Sequence, residues 1–362
     1  MAVQSVLLFL LGLALLSLGA EALVRGASRF AATLGVSSLI VGLTVVAFGT
    51  SAPEFVVSMQ AAVAGRPDIS LGNVIGSNIF NVLLILGMSA IVSPLVVSER
   101  IVRHDVPIVI GLSSLVMLLA ADGSIGSIEG AGLVALLGVY ILFLIWIERR
   151  VPRRVDLPGA PPRRRGGRAA AINLLLVFLG LALLVYGSRM LVEGAVEVAR
   201  LLGLSELVIG LTIVAAGTSM PELATSVVAS ARKEQDIAVG NIVGSNIFNL
   251  LMVLGGSAAI VDGGIPVPPA AYTFDMPVMI AVAIACLPVF FAGLKISRWE
   301  GAVFVLYYVA YVVFLMLDAT DHAALPVFTF FMLLFVVPLT VLTFSIVLVR
   351  HRRAEERASS GS

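Results

Sequence analysis

The chain is a succession of long apolar stretches joined by short connections rich in Gly, Pro and Arg. A helix that crosses the hydrocarbon of a bilayer needs about 20 apolar residues. By that measure the pattern predicts eleven spans, near 4–24, 36–63, 70–96, 105–121, 127–147, 170–190, 204–230, 238–261, 274–294, 299–317 and 325–349. The second, third, seventh and eighth are long and interrupted by Gly, Ser, Thr and Asn. The others are almost purely Leu, Val, Ala, Ile and Phe.

The polar interruptions come twice, at a constant offset of 168 residues. "LGVSSLIVGLTVVAFGTSAPE" (Leu34 to Glu54) matches "LGLSELVIGLTIVAAGTSMPE" (Leu202 to Glu222) at 14 of 21 positions. "DISLGNVIGSNIFNVLLILG" (Asp68 to Gly87) matches "DIAVGNIVGSNIFNLLMVLG" (Asp236 to Gly255) at 13 of 20. The register reaches back to "LGLALL" at Leu11 and Leu179. The first apolar run has the core and small-residue ending of a signal peptide. It lacks a basic leader and has this counterpart, so it is expected to stay as the first helix. The chain therefore divides into a five-helix repeat (1–147, motif block 34–87), a basic loop (148–169) and a second five-helix repeat (170–317, motif block 202–255). An additional helix (325–349) and a basic tail (350–362) follow. Five is odd, so the second repeat is expected to run inverted across the membrane. Inverted repeats with polar, interrupted helices characterise secondary transporters, whose sites lie at mid-membrane where the copies meet.

Composition and charge sharpen this all-α polytopic reading. Hydrophobic residues make up 59% of the chain and charged residues 12%, against about 25% charged in soluble domains. Basic residues concentrate on the cytoplasmic side of membrane proteins. The loop "RRVPRRVDLPGAPPRRRGGR" is placed there, and alternation then puts 20 of the 23 Lys and Arg residues on that side. The exceptions are Arg66, Arg189 and Arg200. The N-terminus is expected outside and the C-terminus in the cytoplasm, as in the plasma (inner) membrane of a prokaryote. The single cysteine, Cys286, excludes an internal disulfide, and three scattered histidines offer no metal cluster.

Within the spans, away from their ends, Glu54 and Glu222 are the only ionisable side chains. A carboxylate at the bilayer centre costs at least about 2.5 kcal/mol, and no Lys or Arg sits at that depth to offset it. Two duplicated carboxylates without a basic partner call for a bound cation. Thr50, Ser51 and Glu54 lie at i, i+1 and i+4, which puts their oxygens on a common side of a helix. Thr218, Ser219 and Glu222 repeat the arrangement. Pro53 and Pro221 lack an N–H and clash with the carbonyl four residues back. With Gly49 and Gly217 they are expected to open the helices and free carbonyls around Ala47 and Ala215. Ser77 and Asn81, and Ser245 and Asn249, add hydroxyl and amide oxygens at i, i+4. Gly72 with Gly76, and Gly240 with Gly244, form GxxxG pairs expected to pack helices closely. This inventory of oxygens suits calcium, sodium or magnesium and disfavours zinc, copper or iron.

"GTSAPE" with "GNVIGSNIFN", then "GTSMPE" with "GNIVGSNIFN", resembles the two alpha-repeats of the sodium/calcium exchanger family in its compact prokaryotic form. The resemblance covers ten of the eleven predicted helices. It implies that Glu54 and Glu222 bind calcium and also sodium. Ala47, Thr50, Ser51, Ser77, Asn81, Ala215, Thr218, Ser219, Ser245 and Asn249 would complete the shell. It implies exchange of about three sodium ions for one calcium, with no cofactor. Potassium-dependent members carry an aspartate where this chain has Asn81 or Asn249, so no potassium requirement is expected. The inside loop is too short for a large calcium-sensing domain. Inorganic cations and the lipid bilayer are the expected partners; no nucleic acid is, and the oligomeric state is left open. Three other readings remain: a proton/calcium antiporter using the same glutamates, a cation channel, and an intramembrane enzyme. No HExxH pair or nucleophile–histidine arrangement supports the last. The first and sixth helices have few polar anchors and are expected to slide together against the site-bearing core.

Overall fold

The computed structural model describes residues 2–150, 167–201, 215–291, 293–320 and 322–338, with Val341 and Ser345. The helices are α1 (Ala2–Leu34), α2 (Ser38–Thr50), α3 (Ala52–Val63), α4 (Pro67–Val92), α5 (Ile101–Asp122), α6 (Ser127–Arg150) and α7 (Gly167–Leu201). They continue as α8 (Ala215–Gly217), α9 (Met220–Ala231), α10 (Gln235–Ile260), α11 (Ala271–Val289), α12 (Arg298–Ala319) and α13 (Leu325–Leu334). Among the described residues eight helices are long and apolar enough to cross a membrane, and the bent pair α2–α3 makes a ninth. The first half of the expected seventh span, the basic loop from 151 to 166 and the basic tail lie outside the described residues. The expected eleventh helix is seen as α13 only. The count of eleven is therefore not reached here.

Two helices form the centre. The most apolar windows of α4 and α10 are 78% and 94% buried, against 33% or less for the six other long unbroken helices. These are the helices carrying "GNVIGSNIFN" and "GNIVGSNIFN". Their Ser and Asn side chains survive in a hydrocarbon setting because they face protein partners rather than lipid. The expected helix packing is seen at the second glycine pair. Gly240 and Gly244 are buried against α2, where a Cβ on Gly244 would lie 2.7 Å from Leu43 O. The segment of the second repeat that corresponds to the first part of α2, against which Gly72 and Gly76 would pack in the same way, falls in 202–214, outside the described residues.

Two short strand pairs tie the repeats outside the helices. β1 (Leu95–Val96) pairs with β4 (Lys295–Ile296), and β2 (Ser124–Ile125) with β3 (Ile265–Pro266), both antiparallel. The first pair joins two segments that the alternation of spans assigns to the inside, the second two segments assigned to the outside. Loops meet only loops of the same assigned face, which is what an inverted repeat requires.

α1 and α7 run past the expected limits of 4–24 and 170–190, because their extra turns carry charges that leave the apolar layer. Glu21 pairs with Arg25 one turn on (2.5 Å) and with Arg232 at the end of α9. Ser28 Oγ donates to Glu234 Oε1 (2.9 Å). Along the rest of their length α1 and α7 pack on each other through small residues at seven-residue steps. Ser5, Gly12, Gly19 and Gly26 face Gly194, Gly187, Gly180 and Asn173. Seven-residue spacing keeps one seam in contact over many turns, and side-chain-free seams let backbones approach in membranes. A Cβ on Gly19 would lie 2.8 Å from Leu184 N and 2.9 Å from Gly180 O. Gly19→Leu is therefore expected to destabilise the protein by about 1–3 kcal/mol, seen as a lower thermal midpoint in detergent. Gly138→Leu, where a side chain meets nothing within 4 Å, is expected to change it by less than about 0.5 kcal/mol.

Candidate cation site at the helix breaks

The site is built by two interrupted helices. α2 and α3 meet at Ser51 with a bend of 43°. Ser51 sits at φ −80°, ψ 4° and its counterpart Ser219 at φ −88°, ψ 9°. Pro53 and Pro221 follow inside the first turn of α3 and α9, where a missing N–H is tolerated. Glu54 and Glu222 then fall in the first turns of α3 and α9. The partial positive charge of a helix N-terminus favours a carboxylate there.

The carbonyl exposed by the break differs from the expected one. Ala47 O accepts Ser51 N at 3.0 Å, so it is not released from the helix; Thr50 Oγ1 lies 3.3 Å from it but has a nearer acceptor. The carbonyls that lose a backbone donor are those four residues before each proline, Gly49 and Gly217. Gly217 O accepts Ser188 Oγ of α7 (2.5 Å) instead.

Each serine at a break would ordinarily cap its own helix, yet neither makes a side-chain cap. Both reach across to the other repeat. Ser51 Oγ donates to Glu222 Oε1 (3.0 Å) and Ser219 Oγ to Glu54 Oε1 (2.8 Å). The threonines cross in the same way: Thr50 Oγ1 donates to Asn241 Oδ1 (3.0 Å) and Thr218 Oγ1 to Asn73 Oδ1 (3.1 Å). Asn81 Nδ2 donates to Asn246 Oδ1 (2.9 Å) and Asn249 Nδ2 to Asn78 Oδ1 (3.2 Å). Every one of these bonds has its mirror image 168 residues on. Ser77 breaks the pattern: with the Ser219 proton given to Glu54, Ser77 Oγ donates to Ser219 Oγ (3.1 Å), while Ser245 Oγ has no such partner.

Hydrogen bonds thus link Thr50, Ser51, Glu54, Ser77, Thr218, Ser219 and Glu222 to the opposite repeat at the two breaks, while Asn81, Ser245 and Asn249 lie buried on α4 and α10. Ala215 is placed only by its backbone, at the start of α8. Sequence reading missed Asn73, Asn78, Asn241 and Asn246, although all four lie inside the duplicated motif. It also missed Asp105 and Asp275, near the starts of α5 and α11. Asp105 is fully buried and accepts from Tyr140 Oη (3.1 Å); Asp275 accepts from Tyr311 Oη (3.0 Å). Those pairs stand apart from the two breaks.

Glu54 and Glu222 are 0% and 1% exposed, and the ion pairs among the described residues all lie elsewhere. Glu54 Oε2, Glu222 Oε2, Asn81 Oδ1, Asn249 Oδ1 and Ser245 Oγ are buried with no hydrogen-bond partner from the protein. Buried polar atoms are almost always paired. Five unpaired oxygens, two of them on carboxylates, fit a hard cation.

An inverted repeat with paired broken helices and an all-oxygen site at their meeting point defines a multi-pass secondary transporter of inorganic cations. The sequence model of the family described as "Sodium/calcium exchanger protein" matches residues 4–146 and 172–317. The chain belongs to the sodium/calcium exchanger family and is a cation/calcium antiporter, not an enzyme. It is 41% identical over 316 residues to "Putative antiporter CaxA" of Alkalimonas amylolytica, covering 83% of this chain and 95% of that protein. It is 34% identical over 345 residues to "Sodium/calcium exchanger MaX1" of Methanosarcina acetivorans, covering 85% and 97%. The solved structure of the sodium-calcium exchanger NCX_Mj superposes with a TM-score of 0.74 at 31% identity, covering 86% of this chain and 99% of that one.

Saturating calcium is expected to stabilise the purified wild type, by about 2.7 kcal/mol at a hundred times its dissociation constant. Glu54→Gln is expected to lose this shift. Without calcium the variant is expected to melt no lower than wild type, because a neutral amide costs less to bury than a carboxylate. Thermal unfolding with calcium or with a chelator reads both effects.

Proposed function

We propose that this antiporter exchanges sodium for calcium by alternating access, about three sodium ions for each calcium, without a potassium requirement. The observation that carries the reading is the set of unpaired buried oxygens around two carboxylates. One calcium neutralises the pair, and several sodium ions sharing the same oxygens overfill it. The two loads then compete, and the site changes access only when its charge is met. Exchange at three to one moves one net charge per cycle, so the membrane potential helps drive calcium out. Glu54 and Glu222 hold both ions. The hydroxyls of Thr50, Ser51, Thr218, Ser219, Ser77 and Ser245, the amides of Asn81 and Asn249, and the carbonyls of Ala47 and Ala215 complete the shell. Ala47 O keeps a second lone pair for this role beside its helical bond. With asparagine at both 81 and 249 the site carries only the two glutamate charges, which is the basis for potassium independence.

Access changes as α1 and α7 slide together over α3, α4, α9 and α10. Support comes from a broken symmetry at the two breaks. A Cβ on Gly49 would meet Leu181 at 2.6 Å, and one on Gly217 would meet Val192 at 2.5 Å; both partners are on α7. A two-fold arrangement would put one of them on α1, at Val24 or Leu13. The protein sits in a plasma (inner) membrane with its N-terminus outside and its C-terminus in the cytoplasm, the orientation that leaves 20 of 23 basic residues inside.

Sodium-loaded vesicles holding wild type are expected to take up calcium with or without potassium, and Glu54→Gln vesicles to take up none. Uptake driven by a pH gradient without sodium would favour the proton-coupled reading, and uptake that survives the substitution would remove Glu54 from the site. Cross-linking α1 to α9 is expected to stop transport while calcium still binds.

A further inference from the structure

A threonine hydroxyl has one proton and two lone pairs. To ligate a cation it must turn its lone pairs to the ion and give its proton to another acceptor. At Thr218 that acceptor is Asn73 Oδ1 (3.1 Å), and at Thr50 it is Asn241 Oδ1 (3.0 Å), the nearer of two, with Ala47 O at 3.3 Å. Each asparagine comes from the repeat opposite its threonine.

The asparagines are themselves held in one orientation. Asn73 Nδ2 donates to Ser58 Oγ (2.9 Å) and towards Glu54 O (3.4 Å). Asn241 Nδ2 donates to Ser226 Oγ (2.9 Å) and towards Glu222 O (3.4 Å). A backbone carbonyl only accepts, so the amide nitrogen must face it and the amide oxygen must face the threonine. Ser58 and Ser226 are fully buried one turn beyond the glutamates, which leaves the amide little room to turn. Neither asparagine has a hydrogen bond to a glutamate carboxylate.

We propose that Asn73 and Asn241 are positioning residues for the transported cation, each accepting the proton of Thr218 or Thr50 so that the threonine oxygen presents its lone pairs to the ion. Each asparagine bridges the glutamate-bearing half-helix of its own repeat and the threonine of the other, so a hydroxyl of one repeat is set by the other. The inference rests on the cation-exchange reading and goes beyond it, because these two residues lie outside the implied ligand shell.

The test is a double-mutant cycle in reconstituted vesicles. Half-saturation by sodium and by calcium is measured for wild type, Asn73→Leu, Thr218→Val and the double variant. Asn73→Leu keeps the approximate volume and removes the acceptor. It is expected to raise the sodium half-saturation by about five- to tenfold, the scale of one hydrogen bond. Thr218→Val is expected to do the same, and the double variant to go no further than the larger single shift. A double shift equal to the product of the single shifts would mean that Asn73 does not act through Thr218, and would overturn the proposal. So would an unchanged half-saturation in Asn73→Leu. Asn241→Leu with Thr50→Val repeats the cycle in the other repeat. Failure of both leucine variants to fold, while both valine variants fold, would assign the asparagines to the fold and also overturn it. If wild type needs no sodium, the sodium reading fails by itself, and the cycle is read on calcium half-saturation.

Discussion

The structure depends on two carboxylates buried in a hydrocarbon layer without a basic partner. Glu54 and Glu222 are closed off from solvent, and each keeps one oxygen that no protein group satisfies. An isolated charge in that setting is costly, and the rest of the site offsets the cost in two ways. Each glutamate starts a half-helix, whose N-terminal dipole favours it. Each also takes a hydroxyl proton from the serine at the opposite break. What is left over is one acceptor oxygen on each carboxylate that no protein group satisfies.

The cross-over bonds explain why the site belongs to neither repeat. Serine, threonine and asparagine all reach to the opposite copy, in three mirrored pairs. A half-site would leave its glutamate facing lipid or water. Two copies bring both helix N-termini to one place, where neither copy could do so alone. Among the described residues the mirror is broken at two places: Ser77 is bonded where Ser245 is not, and α7 touches both breaks. A transporter that alternates between faces needs such asymmetry, because a perfectly two-fold molecule would open equally to both sides.

The seam between α1 and α7 has a different physical character from the core. Its contacts are backbone to backbone through glycine, with the polar anchors at the charged ends. The pair is tied to the core at Glu21–Arg232, Ser28–Glu234 and Ser188–Gly217, the last of these at a helix break. The core helices, by contrast, are knit together by amides and hydroxyls.

Much was legible in the sequence, because membranes punish charge and reward repetition. The spans, the inverted duplication and the two glutamates follow from hydropathy and a constant offset of 168 residues. The hydroxyls and amides near them follow from helical spacing. The tertiary structure alone decided which groups meet. Spacing places Thr50 and Ser51 on one side of a helix, but it cannot show that their partners lie 191 and 171 residues away. It suggested that Ala47 would lose its helical bond, whereas the break falls later and leaves Gly49 and Gly217 without a backbone donor. It passed over Asn73 and Asn241, since an asparagine beside a glycine reads as helix packing until its amide is seen to bind a hydroxyl of the other repeat. One-dimensional periodicity reports which face a side chain takes, and only the packed chain reports what stands opposite that face.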